Sequence, residues 1–155
     1  VALLAVVGAL QPTLAAHGST LQSMNAVTSG LLLGFTLAAM LLGHWYLNTP
    51  TMQLAPLQKL LVAMAAAVML QILVSGWGLA TLLNASDPPQ FSLWLLVLRW
   101  LFGLVGVLAL TIMAWKTLQI PNTQSATGIL YVAVIGVFTG ELLGLLLSAD
   151  AGIAL

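Results

Sequence analysis

The chain has 155 residues, of which 61% are hydrophobic and only 4% are charged, and its mean hydropathy is +1.14. A soluble domain carries roughly a quarter charged residues, so this composition excludes a water-solvated globular surface and predicts an exterior that contacts the lipid bilayer. Three basic residues balance three acidic ones and there is no cysteine, so nothing indicates a nucleic-acid partner, and this chain cannot supply disulfides, thiolate zinc ligands or iron–sulfur ligands.

Turn-forming residues divide the sequence into five apolar segments. The first, residues 1–16, opens with VALLAVVGAL; because no basic region precedes it, it fits a short or truncated transmembrane helix better than the core of a signal peptide. A helix needs about 20 apolar residues to cross the hydrocarbon core, and the four later segments reach that length. We therefore predict transmembrane helices at about 25–47, 56–83, 91–118 and 126–148.

The boundaries between these segments carry recognisable signals. NTP ends the second segment at Pro50, which cannot continue a helix, and NASDPPQ, residues 84–90, precedes the fourth. QIPNTQS separates the fourth segment from the fifth, whose N-cap is predicted to be Ser125 or Thr123. The predicted fold is an all-α polytopic bundle of four antiparallel spans plus the short N-terminal helix, in a single domain over residues 1–155.

The few charges predict an orientation. Lys59 and Lys116 flank the loops at 48–55 and 119–125, and the positive-inside rule places these loops on the cytoplasmic side. An interfacial aromatic belt on the same side is expected to contain Trp45, Tyr46 and Trp115. We expect an integral protein of a bacterial inner membrane.

Arg99 interrupts the apolar run LLVLRWLFGL about eight residues inside its helix, which is a depth of roughly 12 Å at 1.5 Å per residue. Glu141 lies at a similar depth on the next, antiparallel helix. Lone charges near mid-membrane cost about 2.5–3.5 kcal/mol or more and usually pair inside the bundle. We predict an intramembrane polar cluster in which Arg99 approaches Glu141, with Gln71 or Ser75 as a further partner. A structural clasp and a binding or proton-transfer site are both compatible with this cluster.

Glycines recur every four residues in two segments, at Gly136, Gly140 and Gly144 in one and at Gly30 and Gly34 in the other. On the fourth segment, Gly103 and Gly106 share a helix face with Arg99. Small residues let membrane helices approach closely, so these faces are expected to be packing surfaces.

His44 lies in GHWYLNTP near the inner end of its helix, and His17 precedes it by 27 residues, or roughly 40 Å if the segment is helical. The two histidines therefore cannot ligate one haem or share a metal ion, and no His-x-x-x-His or Glu-x-x-His spacing indicates a metal site. Ligation of a haem or a chlorophyll by His44 alone stays open, as does an ordinary interfacial histidine.

The polar stretch IPNTQSATG, residues 120–128, precedes the fifth predicted helix. The unpaired N–H groups and positive dipole end of a helix N-terminus suit an anion, a head group or a quinone carbonyl, although helix capping alone also explains such residues. The candidate quinone- or cofactor-binding pocket at the inner interface comprises His44, Trp45, Tyr46, Asn122, Gln124 and Ser125.

No nucleotide-binding loop or helical zinc-protease motif is present, and no self-contained catalytic machinery is indicated. The layout of four or five helices with a histidine at a membrane edge is similar to that of the anchor subunits of respiratory oxidoreductases, a likeness of architecture that carries no residue roles. The sequence favours an anchor or quinone-pocket subunit of an electron-transfer complex, with a quinone or a singly ligated haem and with other membrane or peripheral subunits as partners. The alternatives are a small transporter or channel with Arg99 and Glu141 in its pathway, and a structural or assembly protein.

Overall fold

The computed structural model describes residues 18–48, 53–84, 93–120 and 122–151; the short helix predicted at 1–16 lies outside them. This part of the chain contains four helices that are long and apolar enough to cross a membrane. They are α1, Gly18–Asn48; α2, Ala55–Leu83; α3, Leu93–Gln119; and α4, Thr123–Ala151. The predicted all-α bundle is confirmed, and the protein is an integral membrane protein whose helices contact lipid.

The helices are arranged as a ring in chain order. Short connections make consecutive helices antiparallel, and α1 and α3 each pack against both α2 and α4, so α1 and α3 lie diagonally across the bundle. Fully buried apolar side chains from all four helices form the core, including Leu32, Met64, Val68, Val107, Leu130 and Val137. Large apolar side chains such as Leu73, Trp77 and Leu145 are exposed on the outside, as is expected where the surrounding solvent is hydrocarbon.

Two helices begin earlier than the sequence predicted. α1 starts at Gly18 and not near residue 25, so the polar stretch before residue 25 is helical. α4 starts at Thr123, inside the predicted loop 119–125. The backbone N–H of Ser125 donates to Asn122 Oδ1 at 3.0 Å, which is the bond that an N-cap side chain accepts from the third helical residue. The prediction of Ser125 or Thr123 as the N-cap was wrong, because the cap precedes the first helical residue and Asn122 occupies that position.

The third span changes its helical geometry part of the way along. Leu93–Leu98 and Val107–Gln119 are α-helical, whereas Arg99–Gly106 between them forms a π-helix. A π-helix has the wider i→i+5 hydrogen-bond spacing and occurs frequently at functional sites. This segment begins at the only arginine of the sequence.

α3 and α4 approach closely at two glycines. A Cβ added to Gly103 would lie 2.5 Å from the Cα of Gly140, and the reverse distance is the same, so neither position has room for a side chain. A Cβ on Gly136 would lie 3.1 Å from Cγ2 of Val107, again on α3. By contrast, no atom lies within 4 Å of a Cβ placed on Gly30 or Gly34. The packing face expected at these two residues of α1 is therefore not found in the described part of the bundle.

Candidate functional site

Arg99 points into the bundle, where its side chain is only 2% exposed. Its Nη2 donates a hydrogen bond of 2.9 Å to Ser75 Oγ on α2. On the other side, the guanidinium lies against Gly144 of α4, where a Cβ would be 2.7 Å from Cζ of Arg99. The guanidinium is thus enclosed by α2 and α4 as well as by its own helix, and a glycine at position 144 makes room for it.

Glu141 lies on α4, three residues before Gly144, and is half-buried. Its negative charge acts on Arg99 through the Coulomb attraction between them. The guanidinium donates a hydrogen bond to Ser75 Oγ, and the sequence suggested Ser75 as a secondary partner. The close Arg99–Glu141 pair stays a prediction.

Gln71 extends this cluster toward α1. Its side chain is fully buried, and Nε2 donates to Asn25 Oδ1 at 2.8 Å and to Ser29 Oγ at 3.1 Å. Its Oε1 is buried and accepts no hydrogen bond from the described residues. A buried acceptor left without a donor costs about 1–3 kcal/mol. The cluster therefore has a vacant acceptor next to the Ser75–Arg99 hydrogen bond, one helical turn along α2.

Asn25 and Ser29 were not predicted to belong to this cluster. Asn25 was placed at the predicted start of its helix, and a polar residue at a helix start needs no buried partner. Because α1 begins at Gly18, Asn25 lies seven residues inside the helix and meets Gln71. The four-residue spacing of Asn25 and Ser29, which puts both on one helix face, was the available signal.

The polar cluster occupies only one half of the bundle, nearer the connection between α2 and α3. In the other half, the buried threonines do not join a network between helices. Thr36 donates to the carbonyl oxygen of Leu32 at 2.6 Å, and Thr111 donates to that of Val107 at 2.7 Å, each within its own helix. The buried hydrogen bonds between helices are thus concentrated around Gln71 and Arg99.

A second polar group lies toward the opposite end of the bundle, on its outer surface. His44 Nδ1 and the hydroxyl of Tyr131 are 3.2 Å apart, and the two rings meet edge to face with centroids separated by 6.3 Å. Both side chains are exposed. α1 and α4 pack tightly next to them, because a Cβ on Gly43 would lie 2.9 Å from Thr127 Oγ1. Tyr131 was not predicted, since nothing in the sequence relates it to a residue on another helix.

The other residues of the predicted interfacial pocket have varied surroundings. The Tyr46 side chain is 2% exposed, and its hydroxyl donates to the backbone carbonyl of Gln53 at 2.8 Å, which ties the end of α1 to the following connection. Asn122 caps α4. The three remaining residues, Trp45, Gln124 and Ser125, are exposed. His44 is thus paired with Tyr131, while Tyr46 and Asn122 hydrogen-bond to the backbone.

No group of three or more histidine, cysteine, aspartate or glutamate side chains that could hold a metal ion occurs among the residues that the structure describes. No protein-family model matches the sequence, and no curated protein or solved structure is significantly similar to it. The function is therefore inferred from the residues of the intramembrane cluster and of the His44–Tyr131 pair.

Proposed function

We propose that the chain is the membrane-embedded subunit of an electron-transfer complex and that the His44–Tyr131 pair binds the head group of a quinone. The supporting observation is the contact between His44 Nδ1 and the Tyr131 hydroxyl, 3.2 Å long, on an exposed surface toward one end of the spans. A ligand dissolved in the bilayer reaches such a surface directly. Because the described residues form transmembrane helices and short connections, partner subunits would carry the soluble redox centres.

The chemistry of the pair suits a carbonyl ligand. A neutral imidazole carries one N–H donor and one acceptor nitrogen, and a phenol both donates and accepts. When Tyr131 donates to Nδ1, the proton of His44 is on Nε2 and is free to donate to a quinone carbonyl. The quinone would supply the two-electron redox chemistry, while His44 and Tyr131 would orient its head group.

The same geometry would orient His44 for single ligation of a haem, because a histidine ligand usually has its second ring nitrogen held by a hydrogen-bonding partner. Absorption spectroscopy of the purified protein distinguishes the two ligands: a Soret band indicates haem. If the ligand is a quinone, we expect the purified protein to show no Soret band of its own. We also expect a redox-active partner protein to co-purify with it.

Quinone binding is tested by titrating decylubiquinone into the protein in lipid nanodiscs. Loss of one hydrogen bond worth about 1–1.5 kcal/mol weakens binding by about 5- to 13-fold, and we expect weakening of this size for His44→Ala. Tyr131→Phe leaves the imidazole in place but no longer orients it, so it should weaken binding by a smaller factor. Tyr46→Phe is the matched control, since its hydroxyl donates to Gln53. Equal affinity of the wild type and both pair variants would overturn the quinone site.

The intramembrane cluster favours a second candidate function, a transport pathway. Arg99 is almost fully buried, Gln71 Oε1 accepts no hydrogen bond from any residue that the structure describes, and ionisable residues inside membrane spans commonly mark ion and proton routes. Proteoliposomes containing a pH-sensitive dye test this function: Arg99→Leu should abolish a proton flux that the wild type conducts. Absence of flux in the wild type would contradict proton transport and leave the quinone proposal unaffected.

A further inference from the structure

A cleft opens between the beginning of α2 and the end of α3. Its volume is about 310 Å³, and it is lined by Ala55, Gln58, Lys59, Val62 and Trp115. Lys59 lies four residues from the start of α2, and Trp115 lies four residues from the end of α3, which is a depth of roughly 6 Å in each case. The cleft is therefore at the level where the hydrocarbon core meets the lipid head groups.

The polar groups of the lining lie closer to the end of the bundle than its largest apolar side chain on α2. After Ala55 at the start of α2 come the Gln58 amide and the Lys59 ammonium, and Val62, which is 56% exposed, follows almost one turn deeper. Trp115, half-buried on α3, adds an indole ring and an N–H donor. A tryptophan of this kind, apolar with one polar edge, is typical of the membrane–water boundary.

Of the lysine, arginine, aspartate and glutamate side chains that the structure describes, the two at this end of the protein are both lysines. Lys59 and Lys116 supply two of the three basic residues of the sequence. Glu141 and Asp150, the acidic residues in the described part of the chain, are both in the second half of α4, toward the opposite end of the bundle. Among the described residues, no acidic residue therefore lies at this end to compete with an anionic ligand for Lys59.

We propose that this cleft is a binding site for one anionic phospholipid. The lipid phosphate binds the Lys59 ammonium, the indole N–H of Trp115 donates to a head-group oxygen, and the first part of an acyl chain lies against Val62. Basic pockets between transmembrane helices recognise anionic head groups in this way, and the long lysine stem lets the ammonium reach the head-group level while its methylenes stay in the apolar layer.

The membrane is the source of this phosphate, because the site combines a cation with an apolar wall that faces the bilayer. An inorganic phosphate ion would use Lys59 and Trp115 but would make no favourable contact with Val62. The two ligands therefore differ in a measurable way, although both present the same phosphate oxygens.

Native mass spectrometry of the protein released from nanodiscs measures lipid retention. In an equimolar mixture of phosphatidylglycerol and phosphatidylcholine, we expect one phosphatidylglycerol to be retained preferentially, with retention reduced at least fivefold in Lys59→Ala and by less in Trp115→Phe, which keeps an aromatic ring but removes the N–H group. Lys116→Ala is the matched control. It removes the same charge from the same end of the protein, but Lys116 is outside the cleft lining, so near-normal retention is expected.

Three outcomes would overturn the proposal. Equal retention of the two lipids would show no preference for the anionic head group. Equal losses in Lys59→Ala and Lys116→Ala would show diffuse attraction to a positive end of the protein. Millimolar inorganic phosphate that displaces the lipid would identify a free-anion site. Circular dichroism of each variant establishes that the helices are retained, so that a loss of lipid is not a loss of the fold.

Discussion

Arg99 shows how a guanidinium is accommodated inside a membrane span. Transfer of a cation into the membrane interior is costly, and three features reduce that cost: a hydrogen bond to Ser75, the Coulomb attraction of Glu141 and the space left by Gly144. Ser75 is on α2, whereas Glu141 and Gly144 are on α4. Because these partners are on two other helices, the cost of burying the guanidinium is reduced only when the helices are assembled into the bundle.

The first prediction concerns the coupling between Arg99 and Glu141. Glu141→Leu leaves a buried guanidinium without its countercharge, and we expect a loss of about 2.5–3.5 kcal/mol in the free energy of unfolding, the cost of a lone charge at membrane depth. Arg99→Leu combined with Glu141→Leu should recover most of this loss, because no isolated charge remains. Unfolding in mixed micelles measures both values. Strictly additive effects of the two substitutions would show that the residues are not coupled.

The third span is the element whose geometry differs most from the sequence prediction. Across its π-helical segment, the buried residues Arg99, Gly103 and Val107 follow one another at a spacing of four, which is longer than the 3.6 residues of an α-helical turn. In a regular α-helix, residues at a spacing of four are rotated progressively away from one face of the helix. The π-helical segment absorbs the difference, so that Arg99 faces Ser75 and Gly144 while Gly103 still faces Gly140.

The second prediction is a graded series of glycine substitutions. Gly140→Ala should destabilise most, because its Cβ would meet the backbone of Gly103 and the helices would have to separate. Gly144→Ala should have a smaller effect, since its Cβ meets the flexible end of the Arg99 side chain. Gly34→Ala is the control. Its Cβ has no neighbour within 4 Å, and replacing glycine in a helix interior stabilises the helix by roughly 0.5–1 kcal/mol. Thermal unfolding in detergent ranks the three variants, and a different order would refute the packing argument.

In the molecule as a whole, the polar features are divided between the two ends of the bundle. The Gln71–Arg99 cluster lies nearer the connection between α2 and α3, whereas the His44–Tyr131 pair and the Lys59 cleft lie toward the opposite ends of their helices. Lys59 and Lys116 are at the same end as the second group, and the acidic residues of α4, Glu141 and Asp150, are toward the end of the first. This separation favours a single orientation in the membrane.

The third prediction tests the topology with single cysteines, which the sequence lacks. Gln53→Cys precedes α2 and Asn84→Cys follows it, and both side chains are exposed. A membrane-impermeant maleimide should therefore label them from opposite sides, with Gln53→Cys on the cytoplasmic side, as the positive-inside rule predicts. The cysteine-free wild type is the control for background labelling. If the same side of the membrane labels both positions, α2 does not span it.

The all-α transmembrane architecture could be predicted from local sequence properties. The length of each apolar segment and the polar stretches between them depend only on residues that are neighbours in the chain, and hydrocarbon imposes a helix on any such segment because its backbone groups must be satisfied internally. The depth of Arg99 in the membrane was predicted by counting residues from the end of its apolar segment. The inward direction of its side chain followed from the cost of exposing a charge to lipid.

Only the tertiary structure decided which side chains meet. The choice between Ser75 and Gln71 as the partner of Arg99 depends on the rotation and crossing of the helices. The same holds for Asn25 and Ser29 as the partners of Gln71 and for Tyr131 as the partner of His44. Depth along a helix can be counted from one sequence, but rotation about its axis cannot when all faces are apolar. Close glycine contacts and the π-helical turn set that rotation here, and they arise only when the four helices pack together.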